Sequence, residues 1–507
     1  MHLSEIARRT PDKPAVVMSD GSRGMTFAEL DRRSLQVEAL LHQHGIGAKD
    51  HVALVMDNGP EFLEVAWGAQ RAGTLWTPVN WHLTEDEAAY VVSDCGARVL
   101  FATEATGDLA ARIVGRSPGV EAAYVAGESR EGLVDYVAAR DAVPPAQSAD
   151  EVEGTYFFYS SGTTGTPKGI RPNHAFPPFG TGLAIEHVMA SSFGFGADSV
   201  YLCPAPLYHA APIGWSMGAQ RNGGSVVLME KFDPLECLRA IEQHGVTHVQ
   251  FVPTHFVRML KLPEEQRRAF DLSSLQVVIH AAAPCPVDVK RQMIDWLGPK
   301  IMEFYAGSEG SGMTVISAPE WLAHPGSVGR AALGTLHIVG EDGEELPPGE
   351  VGTVYFEGGG TFEYYNDPEK TAKAFNDKGW ATLGDLGSLD EEGYLYLADR
   401  RTDLIISGGV NVYPAEVEEA LVLHPAVADV AVIGVPDDEM GQAVRAVVQP
   451  AADRVPGPEL AEELLTHCRT ALAGFKRPRS VVFVDELPRL PTGKLLRRRV
   501  REEHGGA

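Results

Sequence analysis

The sequence predicts an α/β protein with largely parallel sheets, continued by an antiparallel meander and closed by a small α+β unit. Three textures along the chain carry this reading. Short β-rich runs, HVALVM (51–56), ARVLFA (97–102), SVVLME (225–230), THVQFV (247–252) and LQVVIH (275–280), alternate with longer amphipathic segments. From about residue 326 the chain becomes glycine-rich and hairpin-like, and after Asp399–Arg400 helix and strand signals alternate again over a shorter length.

In order along the chain, segment 61–72, EFLEVAWGAQRA, places its apolar residues at helical spacing, and the TLWTPVN after it reads as the next strand. The stretch GSVGRAALGTLHIVGEDGEELPPGEVGTVYFEGGG carries a hairpin-like turn at Asp342–Gly343 and reads as a meander of antiparallel strands. The last unit is expected to contain LIISGG, a helix from about Pro414 to Leu423, a strand at 428–435 and another near 481–484.

At 507 residues the chain exceeds one ordinary core, so at least two domains are expected. A 44% apolar and 22% charged composition is that of a globular protein. The net charge of −26 argues against nucleic acid as a main partner, because tracking a phosphate backbone needs a broad basic face. Five cysteines without a CxxC pair point to a reducing compartment, hence a cytoplasmic location, rather than to a disulfide framework or a zinc site. The opening MHLSEIARRTPDKPAVV lacks an apolar core of signal-peptide type, and no run reaches the length of a membrane span.

The run FFYSSGTTGTPKG (157–169) sets hydroxyl residues and glycines between a hydrophobic stretch and Lys168. Hydroxyls and unhindered backbone amides after a strand can converge on polyphosphate oxygens while a lysine neutralises charge. A plain surface turn needs neither the lysine nor that glycine density. A Walker loop requires Gly directly before the lysine and Ser or Thr directly after it, whereas here Pro167 and Gly169 hold those places.

SSGTTGTPKG resembles the phosphate-binding signature of the adenylate-forming superfamily, which includes acyl-CoA synthetases, nonribosomal peptide adenylation domains and beetle luciferases. YAGSEG (305–310) is similar to that superfamily's Tyr-Gly-x-Thr-Glu segment, GDLGSLDEEGYLYLADRRTDLIISGG (384–409) to its ribose and hinge segment, and PRLPTGKLLRR (488–498) to its C-terminal lysine motif. These four collinear matches span nearly the whole chain, which is identified as a member on the acyl-CoA synthetase branch. The resemblance implies a large N-terminal domain (1–399) of two doubly wound α/β subdomains plus a β-barrel-like meander (about 326–399). It further implies a hinge at 400–403 and a small mobile α+β C-terminal domain (404–507).

It also implies roles. Ser160, Ser161, Gly162, Thr163, Thr164, Gly165 and Lys168 would hold the phosphates of ATP, and Ala282, Ala283 and Pro284 in HAAAPCP (280–286) would line the adenine. Tyr305 would stack on the base, and Ser308, in place of the commoner Thr, would offer its hydroxyl to phosphate. Asp385 has two oxygens suited to the paired ribose hydroxyls, and Arg400 would add a second contact. Glu309 would be the Mg2+ ligand, a hard carboxylate suited to a cation bridging phosphates. Lys494 would stabilise charge as carboxylate attacks the α-phosphate. His209, in PLYHAAP, stands where the family has an aromatic residue at the mouth of the acyl pocket, and it joins Lys494 and Glu309 in the catalytic set. Trp215, Val252, Thr254, Gly307, Gly312 and Met313 would line that pocket with it. Thr402 would be the pivot, and Ser407, Gly408 and Gly409 a pantetheine tunnel in which glycine lets the backbone approach a narrow ligand. Each role has a duller counterpart, such as a solvated loop carboxylate for Glu309, a core position for Tyr305, an interdomain ion pair for Asp385 and Arg400, or one more basic-tail residue for Lys494. The order of the motifs favours the functional roles.

The sequence departs from the pattern at Ala306, where Gly is usual, at Leu383, where a hydroxyl is usual, and at Thr402, where a charged pivot is expected. Those departures predict slower adenylation and admit a mainly thiolating enzyme that receives a preformed acyl-adenylate from a partner enzyme. The remaining expectations are ATP, Mg2+ and CoA as cofactors, an apolar acid of fatty, aromatic or polycyclic type as substrate, and room for a homodimer. An acyl-AMP ligase or luciferase-like use of the adenylate is the alternative outcome.

Overall fold

The computed structural model describes residues 1–145, 151–160, 167–400, 403–407, 410–437, 440–490 and 493–506, without the side chains of Ser160, Asp399 and Arg400. The chain forms two compact units: residues 1–250, 264–278 and 361–371 make the first, and 251–263, 279–360 and 372–507 the second.

The first unit holds the parallel sheets. Six strands run in the order Val134–Asp135, Ala122–Ala126, Val99–Thr103, His51–Val55, Leu75–Pro78 and Thr155–Tyr156, each pair parallel. Their central strands are buried along their length, which is why they read as continuous apolar runs rather than as alternation. Helix Pro60–Arg71 matches the expected amphipathic segment, begins with proline in its first turn, and buries Phe62, Leu63 and Trp67 completely. A second parallel set joins Val200–Cys203, Ser225–Leu228 and Pro14–Met18, with Gly24–Thr26 antiparallel at its edge.

Buried charge in this unit is paired. Arg71 contacts Asp31 and Glu151, and Arg221 contacts Glu153 and Glu186. Glu38 lies in the same interior with 1% exposure; burial, aided by the Glu151 carboxylate and opposed by Arg71, pushes its carboxyl up to about 8. Between its ordinary value of 4.5 and about 8 the unfolded carboxyl ionises while the native one keeps its proton, so stability falls as pH rises through that window and levels off above it. Glu38→Gln is expected to remove that slope and to exceed the parent by about 2 kcal/mol at pH 8.5. Melting temperatures of the two proteins from pH 5 to 9 test it, and parallel curves would contradict it.

The second unit is mostly antiparallel. Ile301–Ala306, Met313–Ser317 and Arg330–Leu333 pair in sequence. The meander itself consists of Thr335–Val339, Gly352–Glu357, Ala381–Leu389 and Leu395–Arg400 around Val328, Leu336, Ile338, Val354, Phe356 and Leu395. Thus the first strand of the run that starts near 326 joins the preceding hairpin, and residues 361–371 leave the run for the first unit. Beyond it, Val410–Val412, Ile405–Ser407, Gly441–Pro450 and Val427–Asp437 form a sheet, with Ser480–Phe483 parallel to Gly441–Pro450 and helix Pro414–Val422 packed on it. Among the described residues no helix is long and apolar enough to cross a membrane.

Candidate active site

The YAGSEG segment is a hairpin. Tyr305 pairs with Thr314 and Ala306 with Met313, so residues 307–312 form the turn, closed by the Gly310 amide donating to the Gly307 carbonyl at 3.1 Å. A Cβ at residue 307 would lie 2.5 Å from Leu383 Cδ2 and 2.6 Å from Glu309 Oε2. Glycine at 307 therefore leaves room beside the turn for both the Glu309 carboxylate and the Leu383 side chain. Gly312 is held small in the same way, since a Cβ there would fall 2.1 Å from the Phe356 ring.

Tyr305 stacks on Phe356 with centroids 6.2 Å apart, and its hydroxyl donates to Asp385 Oδ2 at 2.6 Å. Asp385 sits on strand Ala381–Leu389 with 8% exposure, directly after Gly384 at φ 80°. The expected base-stacking tyrosine and ribose-binding aspartate, distant in sequence, are thus in contact, with Glu309 on the adjoining turn. The hydroxyl missing at Leu383 has a neighbour at Thr382, whose hydroxyl donates to the Val354 carbonyl at 2.7 Å and accepts the Gly384 amide at 3.0 Å, so it is committed to the strand.

The segment expected to line adenine follows strand Val277–His280, and Ala282 takes φ 77°, a left-handed conformation costly for a residue with a Cβ. A buried polar group lies beside both of these segments: Lys290 Nζ is 2.5 Å from Glu303 Oε2, and His280 Nε2 is 3.5 Å from the same oxygen. Burial, with the Lys290 charge beside it, pushes the His280 imidazole well below its ordinary value and keeps it neutral, whereas burial raises the Glu303 carboxyl against the pull of Lys290. Glu303 precedes Tyr305 by two positions and His280 precedes Ala282 by two. Nothing in the local sequence marks these three, because each is read as an isolated polar residue until the fold pairs them.

Lys494 follows a tight turn in which the Leu490 amide donates to the Lys494 carbonyl at 2.8 Å and the Gly493 amide to the Leu490 carbonyl at 2.7 Å. Gly493 has φ 77°, and a Cβ there would stand 2.0 Å from Thr254 Oγ1. The turn of the expected catalytic lysine therefore touches Thr254, in the first turn of helix Pro253–Leu260, whose N-cap is Val252. Ser407 is buried at the end of strand Ile405–Ser407.

In the first unit, Phe158–Ser160 and Lys168–Pro172 are antiparallel, with Lys168 opposite Ser160. Lys168 pairs with Asp367 at 3.1 Å; that contact raises the lysine above its ordinary value, and a backbone amide at Lys370, followed by Lys168, lowers the aspartate. His209 is the N-cap of helix Ala210–Arg221, tilted against Tyr208 with centroids 4.5 Å apart. Trp215 is buried against Phe193 and Phe195. Sequence reasoning missed Asn58, whose amide donates to the carbonyls of Ala205 (3.1 Å) and Met229 (2.8 Å) and accepts the Leu207 amide (2.8 Å). It ties down the loop that leads into His209; the only signal was the turn-like DNGP after a strand. Asn58→Ala removes the side-chain partner of the Met229 carbonyl and the Leu207 amide, leaves the Ala205 carbonyl to Cys203 Sγ alone, and is expected to cost about 3 kcal/mol in urea unfolding while raising KM for the acid. Unchanged stability would contradict this role. Ser161, Gly162, Thr163, Thr164, Gly165, Thr402, Gly408 and Gly409, with the side chains of Ser160 and Arg400, lie outside the described residues.

Comparison with known proteins supplies the class. The chain matches the AMP-binding enzyme family over residues 3–366 and the AMP-binding enzyme C-terminal domain over residues 416–494. It is 36% identical to a feruloyl-CoA synthase of Amycolatopsis over 98% of this chain and 97% of that one. It is 32% identical to the long-chain-fatty-acid–CoA ligase FadD13 of Mycobacterium tuberculosis over 99% and 97%. Among solved structures, the anthranilate CoA ligase AuaEII in complex with anthranoyl-AMP superposes with a TM-score of 0.84 at 26% identity, covering 99% of this chain and 97% of that one. ATP-bound MatB from Rhodopseudomonas palustris gives 0.81 at 28%, covering 100% and 99%. The chain belongs to the AMP-binding, adenylate-forming enzymes. Within them it stands on the branch of AMP-forming acyl-CoA synthetases, acid–thiol ligases for which ATP and CoA are substrates.

Proposed function

We propose that this ligase activates a hydrophobic carboxylic acid of aromatic or cyclic type, and that the residues gathered above carry the two half-reactions. The observation that supports this most is the Tyr305–Asp385 hydrogen bond beside the Gly307 turn that places Glu309. Tyr305 stacks on adenine, Asp385 accepts from the ribose hydroxyls, and Lys168, released from Asp367, neutralises phosphate charge. A carboxylate oxygen attacks the α-phosphorus, the bond to the bridging oxygen breaks, and pyrophosphate leaves with Lys494 stabilising the developing charge. The CoA sulfur, its proton lost to solvent, then attacks the acyl carbon and AMP departs.

Mg2+ fits this donor set. Among the described residues no group of three or more His, Cys, Asp or Glu could hold a metal, so the ion would take one hard oxygen from Glu309 and the rest from nucleotide phosphates and water, where it neutralises phosphate charge.

The domains divide at 399, with residues 400–403 as hinge and 404–507 as the body that rotates between half-reactions. In support, the two family matches leave 367–415 between them, and Asp403 pairs with Arg501 (2.8 Å) and Arg497 (3.6 Å), tying the residue after the proposed pivot to helix Arg497–His504. The acid class draws support from the names of some relatives, a feruloyl-CoA synthase, an anthranilate CoA ligase and a ligase for a methyl-dioxo-octahydroindenyl propanoate, while others are long-chain-fatty-acid–CoA ligases, which makes a fatty acid the competing substrate. A panel of aromatic, cyclic, long-chain and short polar acids with ATP and CoA, read by mass for acyl-AMP and acyl-CoA, tests this. Aromatic or cyclic acids are expected to lead, and preference for a short dicarboxylate would overturn the substrate class. Acyl-AMP without acyl-CoA would instead favour the acyl-AMP ligase outcome. A far faster reaction from supplied acyl-AMP would favour the thiolating one, which the Leu383 and Thr402 departures motivate.

A further inference from the structure

The turn that presents Lys494 is held by contacts that the reaction scheme does not use. Arg489 sends its guanidinium two ways: Nη1 donates to the Gly493 carbonyl at 2.7 Å, while Nε and Nη2 fork onto Asp429 at 2.5 and 2.8 Å. Both side chains are about three-quarters covered, so the fork is shielded from much of the competing water.

Asp429 is itself aimed by the backbone. The register of strand Val427–Asp437 against Gly441–Pro450 slips between Val427 and Asp429, a bulge that re-aims the side chain, and Asp429 Oδ1 also accepts the Val430 amide at 2.8 Å. Lys261 Nζ donates to two carbonyls at this register shift, at 2.6 Å to Val427 and 3.0 Å to Ala428. Lys261 is the C-cap of helix Pro253–Leu260, the helix whose first turn carries Thr254 against Gly493. The contacts therefore close a ring running from the helix through Lys261, the bulge, Asp429, Arg489 and Gly493 back to Thr254. Lys494, next after Gly493, leaves this ring with a fixed backbone.

We propose that Arg489, braced by Asp429, is the positioning residue for Lys494 in the adenylation half-reaction; the proposal rests on the role given to Lys494 above. A long, flexible ammonium acts on a transition state only if its stem starts from the right place, and Arg489 sets that origin. A lysine at 489 keeps the charge but can satisfy either the aspartate or the carbonyl, not both in this planar geometry.

The test compares the parent with Arg489→Met, Arg489→Lys, Asp429→Asn and Lys494→Ala, measuring pyrophosphate release from acid plus ATP and acyl-CoA formation from synthetic acyl-AMP plus CoA. Arg489→Met is expected to lower adenylation kcat on the order of 10- to 100-fold with KM for ATP and acid nearly unchanged, and to leave thioester formation close to the parent. Arg489→Lys should fall between the two, and adding Asp429→Asn to Arg489→Met should cost little more. Equal losses in both half-reactions, tracking a lower melting temperature, would reduce Arg489 to a scaffold role and overturn the proposal. If Lys494→Ala selectively abolishes adenylation while Arg489→Met does not impair it, positioning by Arg489 alone is refuted. If Lys494→Ala leaves adenylation intact, the lysine's own role falls and the proposal with it.

Discussion

Lys494→Ala is expected to lower acyl-AMP formation by roughly a hundredfold or more, about 3 kcal/mol of lost transition-state stabilisation, while acyl-CoA formation from supplied acyl-AMP stays near the parent rate. The asymmetry follows from chemistry. Charge develops on the attacked phosphoryl group in the first half-reaction, where a preorganised ammonium acts, whereas the second half-reaction expels AMP from a carbon centre. Rapid-quench measurement of each half-reaction separates the two, and equal losses in both would count against this role.

Gly493→Ala is expected to produce a loss of the same order, on the order of 100-fold in adenylation, without removing any charged group. The residue holds φ 77°, which an L side chain occupies at a cost of about 1–2 kcal/mol, and its new Cβ would meet Thr254 Oγ1 at 2.0 Å. The turn must shift, and Lys494 shifts with it. Adding Thr254→Ala clears the contact but not the backbone strain, so the double variant should recover only part of the rate. Full adenylation activity in Gly493→Ala would show that the lysine turn does not need this geometry.

These expectations lean on contacts of very different visibility in the sequence. The parallel strands at 51–55 and 99–103 and the helix at 60–71 were legible because buried β-rich runs and a 3.6-residue period are local signals. Strand Gly441–Pro450 and helix Pro458–Ala471 were not singled out, and the strand owes its place to its long partner Val427–Asp437 rather than to its own pattern. The antiparallel pairing of Phe158–Ser160 with Lys168–Pro172 was not legible, since it depends on Lys168–Pro172 folding back and on residues 362–364 joining as a third strand. Candidate residues such as Tyr305, Asp385 and Lys494 were named from motif resemblance, but the Tyr305–Asp385 bond spans 80 positions and no local rule announces it. The ion pair of Lys290 with Glu303, the carbonyl clamp of Asn58 and the fork of Arg489 onto Asp429 were invisible for the same reason: each joins residues whose partners only the folded chain supplies.

The most direct test of the central claim, that this chain makes an acyl-adenylate and passes the acyl group to CoA, uses an acid labelled with 18O in both carboxyl oxygens. With the preferred acid of the panel, ATP, Mg2+ and CoA, mass analysis of the products should find one 18O in AMP and one retained in acyl-CoA, because the oxygen that attacks phosphorus leaves with it when sulfur displaces AMP. Unlabelled AMP, or ADP and phosphate in place of AMP and pyrophosphate, would contradict the account.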